Sequence, residues 1–207
     1  MAKIVIFSNQ KGGTGKSSLC ILFSNYLASM GENVAVLDAD PQQSILHLRE
    51  RELKTNPDAK EPWRVWQLAG AQNIEAFMER AKKLDGWVLV DCPGSLNDPS
   101  LAQIFKAATH IIIPFRYDDM VVDSTLDFVR VLKQRSSAKR FFIPNNVDSR
   151  VNYANKSQVK TALDKIGIRL PTIRQGVAVM RALTLSPLSI YQERAIMHSV
   201  DEFIKKA

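Results

Sequence analysis

The chain has 207 residues, enough to bury a large core, and its 45% hydrophobic and 24% charged content is that of an ordinary soluble globular protein. No run of about 18 apolar residues occurs, so a membrane-spanning helix is not expected; Cys20 and Cys92 are too few and too far apart for a disulfide framework or a C-x-x-C site, and His47, His110 and His198 are scattered. The net charge of +7 fits either simple solubility or a polyanionic partner held by a salt-dependent attraction.

The first predicted element is the apolar run Ile4-Val5-Ile6-Phe7, a strand so near the N-terminus that no secretory leader is expected and a cytoplasmic placement follows. Lys11–Ser18, KGGTGKSS, comes next, and Lys16–Met30 reads as a helix with Leu19, Leu22, Phe23, Tyr26 and Leu27 on one stripe, ending before Gly31. Val34–Leu37 is a second strand, followed by Asp38-Ala39-Asp40-Pro41-Gln42; Lys54–Pro62 is a polar surface loop. Trp63–Leu68 is a strand, Asn73–Leu84 a helix, and Trp87–Val90 a strand running into Asp91-Cys92-Pro93-Gly94. Ile111–Pro114 and Phe141–Ile143 are further strands around a helix at Ser124–Gln134. Asn155–Ile166 reads as a helix, Leu170–Ile173 as a short late strand, and Ser189–Lys206 as the last helix. Alternating short apolar strands and helical stripes predict one α/β domain over 1–207, with a doubly wound, mostly parallel open sheet and helices on both faces. Such sheets bind ligands beyond the carboxyl ends of their strands, where each of the motifs falls.

Lys11–Ser18 carries the most chemistry. A strand, a tight glycine turn and a helix start point several backbone N–H groups into one space, which with the helix dipole favours a polyphosphate. Lys16 would reach the outer phosphates and the Ser17 hydroxyl would ligate Mg²⁺. The ordinary G-x-x-x-x-G-K-[ST] pattern needs glycine at position 10; this chain has Gln10 there and a second lysine, Lys11, beside it. Asp38 and Asp40 are costly neighbours unless a cation or a bound water uses them, although an acidic turn opening the next helix has the same letters. Asp91 closes an apolar strand, and Cys92 reads as a small buried filler.

KGGTGKSS with Gln10 before it, DADPQ at 38–42 and DCPG at 91–94 together resemble the deviant Walker A ATPases of the ParA/MinD family, and the length is similar to that of short plasmid-partition ParA proteins. The resemblance implies a P-loop fold and an ATPase, slow and partner-stimulated, that dimerises with ATP and Mg²⁺, binds DNA without sequence preference over the nucleoid, and works with a ParB-like centromere-binding protein. It implies nucleotide contacts from Lys11, Gly12, Gly13, Thr14, Gly15, Lys16, Ser17 and Ser18. Asp40 would position the attacking water, Asp38 and Asp91 would reach Mg²⁺ through water opposite Ser17, and Lys11 would cross to the partner's nucleotide, making Lys11, Lys16 and Asp40 the catalytic set. Asn145 aligns with an adenine-binding Asn, although Asn146 stands where the family usually has Arg. Pro171 and Ile173 fall in a loop that closes over the base. Among the basic residues of the second half, Lys156, Arg174 and Arg181 are the DNA-contact candidates.

Relatives of the same fold serve other ends. A MinD-like membrane role needs an amphipathic C-terminal helix, but Glu193, Asp201 and Glu202 make a core-packing helix the better reading, with no membrane partner. An iron–sulfur reductase needs cysteines shared across a dimer, which Cys20 and Cys92 match poorly. Positioning of another cargo, or a role in conjugation, is not separated from plasmid partition by sequence.

Overall fold

A computed structural model describes residues 1–68, 73–94 and 99–207. Seven parallel strands form one sheet: β1 (Lys3–Phe7), β2 (Val34–Asp38), β3 (Arg64–Gln67), β4 (Trp87–Asp91), β5 (His110–Phe115), β6 (Lys139–Pro144) and β7 (Ile168–Arg169), in the order β3-β2-β4-β1-β5-β6-β7. The inner strands β1, β4 and β5 are apolar at successive residues because helices cover both sheet faces. From β1 the chain leads to β2 on one side of the sheet, and from β5 to β6 on the other, so the crevice at their carboxyl ends is a topological switch point. In register, Phe7 lies beside Asp91 and Asp91 beside Asp38. Both carboxylates therefore finish at the same level as the glycine loop.

The helices are α1 (Lys16–Ser29), α2 (Ser44–Thr55), α3 (Ile74–Lys82), α4 (Pro99–Ala107), α5 (Asp119–Arg135), α6 (Lys156–Asp164), α7 (Val177–Met180) and α8 (Ile190–Lys206). One core layer holds Met78, Ile104, Phe105, Phe128 and Leu163 from α3, α4, α5 and α6; the other holds Leu19, Phe23, Ile45, Val179 and Phe203 from α1, α2, α7 and α8. In α8, Ile196, Val200 and Phe203 are buried, and the Phe203 ring meets those of Phe23, Trp87 and Phe141. That face is spent on the core, and no helix among the described residues is long and apolar enough to cross a membrane. Cys20 and Cys92 are buried in opposite core layers, where burial above all pushes both thiols well up from their ordinary pKa.

Three expectations shift. The last strand is Ile168–Arg169, not Leu170–Ile173, because Pro171 has no N–H for a continuous ladder. The next residues still follow β6, with Leu170 N–H donating to Phe142 O at 2.8 Å and Ile173 N–H to Pro144 O at 2.8 Å. The fifth helix starts at Asp119 rather than Ser124, because the Asp118 side chain caps it by accepting from Val121 N–H at 3.1 Å. The expected loop Lys54–Pro62 begins inside α2, which runs to Thr55.

Candidate functional site

The loop after β1 enters α1 through Gly13 (φ 71°) and Gly15 (φ 92°), left-handed conformations that side chains resist. Gly15 is the N-cap of α1, with no side-chain cap and no acidic residue in the first turn. The free N–H groups and the positive end of the helix dipole are left for an external anion. A Cβ on Gly12 or Gly13 would meet no atom within 4 Å, whereas one on Gly15 would lie 2.3 Å from Asn145 Nδ2. Gly15→Ala is thus both strained and obstructed. It is expected to weaken nucleotide affinity by about tenfold or more, given a backbone penalty of roughly 1–2 kcal/mol plus the clash, as a fluorescent ATP analogue titration would measure.

Two cavities meet on this loop and share Gly13, Gly15 and Ser18. The larger, about 630 Å³, gathers Gln10, Gly12, Lys16 and Ser17 with Asp40 and Gly94, and Val131 and Arg135 of α5 line it as well. The smaller, about 230 Å³, is lined by Asn145, Asn146, Arg174, Gly176, Val179 and Met180. A polar chamber joined through a glycine loop to a smaller, more apolar one suits a polyphosphate attached to a base. Gly94 packs against the loop itself, since a Cβ there would lie 2.7 Å from Gln10 O.

The carboxylates divide by environment. Asp91 is fully buried and neither oxygen has a hydrogen-bond partner of normal geometry. Burial pushes its pKa up to about 7, helped by the charges of Asp38 and Asp40, while the nearby Ser17 hydroxyl and Lys16 pull the other way. Asp38 is also buried; its Oδ2 accepts from Ile45 N–H at 2.9 Å and Leu46 N–H at 3.0 Å, capping α2, while Oδ1 has no partner. Burial raises its pKa too, against the lowering effect of those N–H groups. Asp40 is half-buried on the cavity wall, its Oδ1 accepting from Gln42 N–H at 2.9 Å. Orphaned carboxylate oxygens beside the Ser17 hydroxyl fit Mg²⁺, which takes one or two protein carboxylates, waters and substrate phosphates rather than an all-protein cage. No cluster of three or more His, Cys, Asp or Glu among the described residues is arranged to hold a metal.

Residues 5–184 match the family model described as the CobQ/CobB/MinD/ParA nucleotide binding domain. The chain belongs to this family. Among curated relatives, it is 26% identical over 158 residues to the chromosome-partitioning ATPase Soj of Thermus thermophilus, covering 63% of this chain and 61% of Soj. It is 30% identical over 114 residues to the maintenance of carboxysome distribution protein A of Gloeobacter kilaueensis, covering 54% of this chain and 48% of that protein. The alignments thus span about three fifths and about half of those relatives. A plasmid partition protein from Borrelia burgdorferi, solved with AMPPNP, superposes over the whole of both chains with a TM-score of 0.79 at 18% identity, which shows a common fold.

In this ParA/MinD-family chain, the residues expected at the base fall differently. Ile173 is fully buried in the core, its N–H on Pro144 O and its carbonyl accepting from Val147 N–H. Pro171 is engaged through its carbonyl by Ser199 Oγ at 2.9 Å. Neither lines the smaller cavity, because the chain there is still following β6; the residues that do, Arg174, Gly176, Val179 and Met180, come one to seven positions after Ile173. Asn145 is placed there, but its Nδ2 donates to Thr14 O at 2.8 Å, leaving Oδ1 unpartnered. Lys11 is half-buried and does not line the larger cavity. Lys156 and Arg174 share a separate cleft of about 350 Å³ with Thr172 and Ser149, and Arg181 is exposed at the C-cap of α7. Sequence reasoning missed Asn9, which is fully buried against the head of the loop, and the wall made by α7. Asparagine two residues after an apolar strand, at the head of the glycine loop, was the available signal for the first; a single helical turn left none for the second.

Proposed function

We propose that this chain is a Mg²⁺-dependent ATPase that dimerises on ATP, binds DNA without sequence preference, and positions a DNA cargo such as a plasmid with a ParB-like centromere-binding partner. The observation that carries the nucleotide part is the buried, unpartnered Asp91 carboxylate facing an uncapped helix N-terminus that carries Lys16 and Ser17. Such an arrangement is costly until a cation and a polyphosphate occupy it.

Each residue then has a task. The N–H groups of Gly12 to Ser18 hold the phosphates, with Lys16 on the outer ones. Ser17, with Asp38 and Asp91 through water, would hold Mg²⁺, which when bound neutralises charge on the β- and γ-phosphates. Asp40 orients the water that attacks the γ-phosphorus as the bond to the β-phosphate oxygen breaks. Asn145 Oδ1 is free to accept from the adenine amino group, beside Val179 and Met180. Lys11, outside its own cavity, supplies a cation to the partner protomer's site. DNA contact is assigned to Lys156, Arg174 and Arg181. Arg174 lines both the base cavity and the cleft shared with Lys156, which gives nucleotide occupancy a route to that surface. Action in the cytoplasm over the nucleoid follows from these roles.

The resemblance to a carboxysome-distribution protein favours a second reading, the same switch moving a different cargo. A small DNA-binding gene next to this one would favour plasmid partition. DNA binding measured with ATP, ADP and no nucleotide across a salt series tests the switch. Binding is expected only with ATP and to fall steeply with salt; equal binding in all three states leaves a basic ATPase without a switch.

A further inference from the structure

The head of the glycine loop is tied to α5 by a buried polar pair. Asn9 is fully buried, and its Nδ2 donates both to Pro114 O at 2.8 Å and to Thr125 Oγ1 at 2.9 Å. Its Oδ1 accepts from Lys11 N–H at 3.2 Å, so the amide is occupied on both sides. Thr125, itself 1% exposed, donates to Val121 O at 2.6 Å, so its hydroxyl proton is committed and the oxygen points its lone pairs at Asn9. From the other direction, Thr14 Oγ1 reaches Lys11 O at 3.4 Å, and Thr14 O is held by Asn145. The backbone of Lys11 is thereby held at its N–H by a group anchored in β5 and α5, and at its carbonyl by one anchored in β6.

From this geometry we infer that Asn9 and Thr125 form a positioning pair for Lys11, transmitting the placement of α5 to the lysine at the loop head. The inference rests on the proposed role of Lys11. Neither Asn9 nor Thr125 is among the residues that line the phosphate cavity, and the buried amide is directed at the loop head on one side and at α5 on the other. The pair acts on the head of the loop, whereas Gly12 to Ser18, which hold the phosphates, are set by α1 and Asn145. Its loss therefore acts on turnover and dimerisation more than on nucleotide affinity.

The test is a double-mutant cycle with Thr125→Val, which keeps the shape and removes the hydroxyl, Thr125→Ser, which restores it, and Lys11→Ala. Thr125→Val is expected to lower turnover and ATP-dependent dimer formation about tenfold, the scale of one buried hydrogen bond. Its Mg-ATP affinity is expected to stay within about twofold, and Thr125→Ser to recover most of the loss. In a Lys11→Ala background, Thr125→Val should add nothing. Full activity of Thr125→Val, or an equal loss of nucleotide affinity, or an undiminished effect without Lys11, each overturns the positioning role while leaving the proposed function standing. A silent Lys11→Ala overturns both.

Discussion

Asp91→Asn is expected to abolish ATP turnover, by at least about a hundredfold, and at the same time to raise the melting temperature of the nucleotide-free protein. The two effects have one cause. Asp91 is buried without a partner, and its pKa moves from 3.8 to about 7 in the folded chain. The folded state therefore keeps a proton that the unfolded state releases. Stability linked to this group is fully present below about pH 4, and is lost progressively as pH rises from there through about 7. Asparagine has no charge to desolvate. The variant should gain roughly 2–4 kcal/mol at pH 8, or about 4–16 °C for a chain of this size, and almost nothing at pH 4. Equal gains at both pH values would mean that the carboxylate is not strained by its burial.

The same proton has a functional consequence. Holding a divalent cation requires Asp91 as the carboxylate, so Mg²⁺-dependent nucleotide affinity should rise with pH through about 7 in the parent chain. In Asp91→Asn that dependence should flatten. On the proposed function, stability is given up at one buried carboxylate so that a ligand can restore it, which is the usual relation between a site and its scaffold.

How much of this was legible depended on what each segment's residues could signal alone. β1, β2, β4, β5 and β6 are apolar runs with turn residues behind them, and burial on both sheet faces is what writes such runs. Lys11–Ser18 and the two acidic strand ends were equally plain, because backbone cradles and carboxylates tolerate few letters. α2 was hidden because its inward side includes Arg49, only 2% exposed, which breaks the apolar stripe. Arg49 is accommodated by Thr184 Oγ1 at 2.7 Å, Trp63 O at 2.9 Å, Glu61, and the Trp63 ring, partners that lie 12 to 135 residues away and leave no local pattern. α4 did carry a signal, Pro99 at its first position with Leu101, Ile104 and Phe105 buried. The wall of the smaller cavity was misplaced for a different reason. Pro171 and Ile173 have the right residue types, but whether they face the cavity or the core is decided by backbone bonds to β6 that no sequence pattern encodes.

Lys11→Ala should separate binding from switching. The residue is half-buried, lies outside the cavity of its own chain, and has its backbone fixed on both sides. Lys16→Ala, which removes the cation within the cavity, is expected to abolish nucleotide binding. Lys11→Ala should keep affinity within about threefold yet lose ATP-dependent dimers in sedimentation and about a hundredfold or more in phosphate release, as removal of a cation supplied in trans does. A mixing experiment makes the geometry decisive. Lys11→Ala and Asp40→Ala are each expected to be inactive alone. If Lys11 serves the opposite protomer, a mixed dimer has one complete site, combining Asp40 of the first variant with Lys11 of the second, and activity should return on mixing. If Lys11 serves its own nucleotide, neither site in the mixed dimer is complete and activity stays absent. Restored turnover would tie the lysine at the loop head to the dimer; its absence, with dimers still forming, would return Lys11 to an ordinary cation at a loop edge.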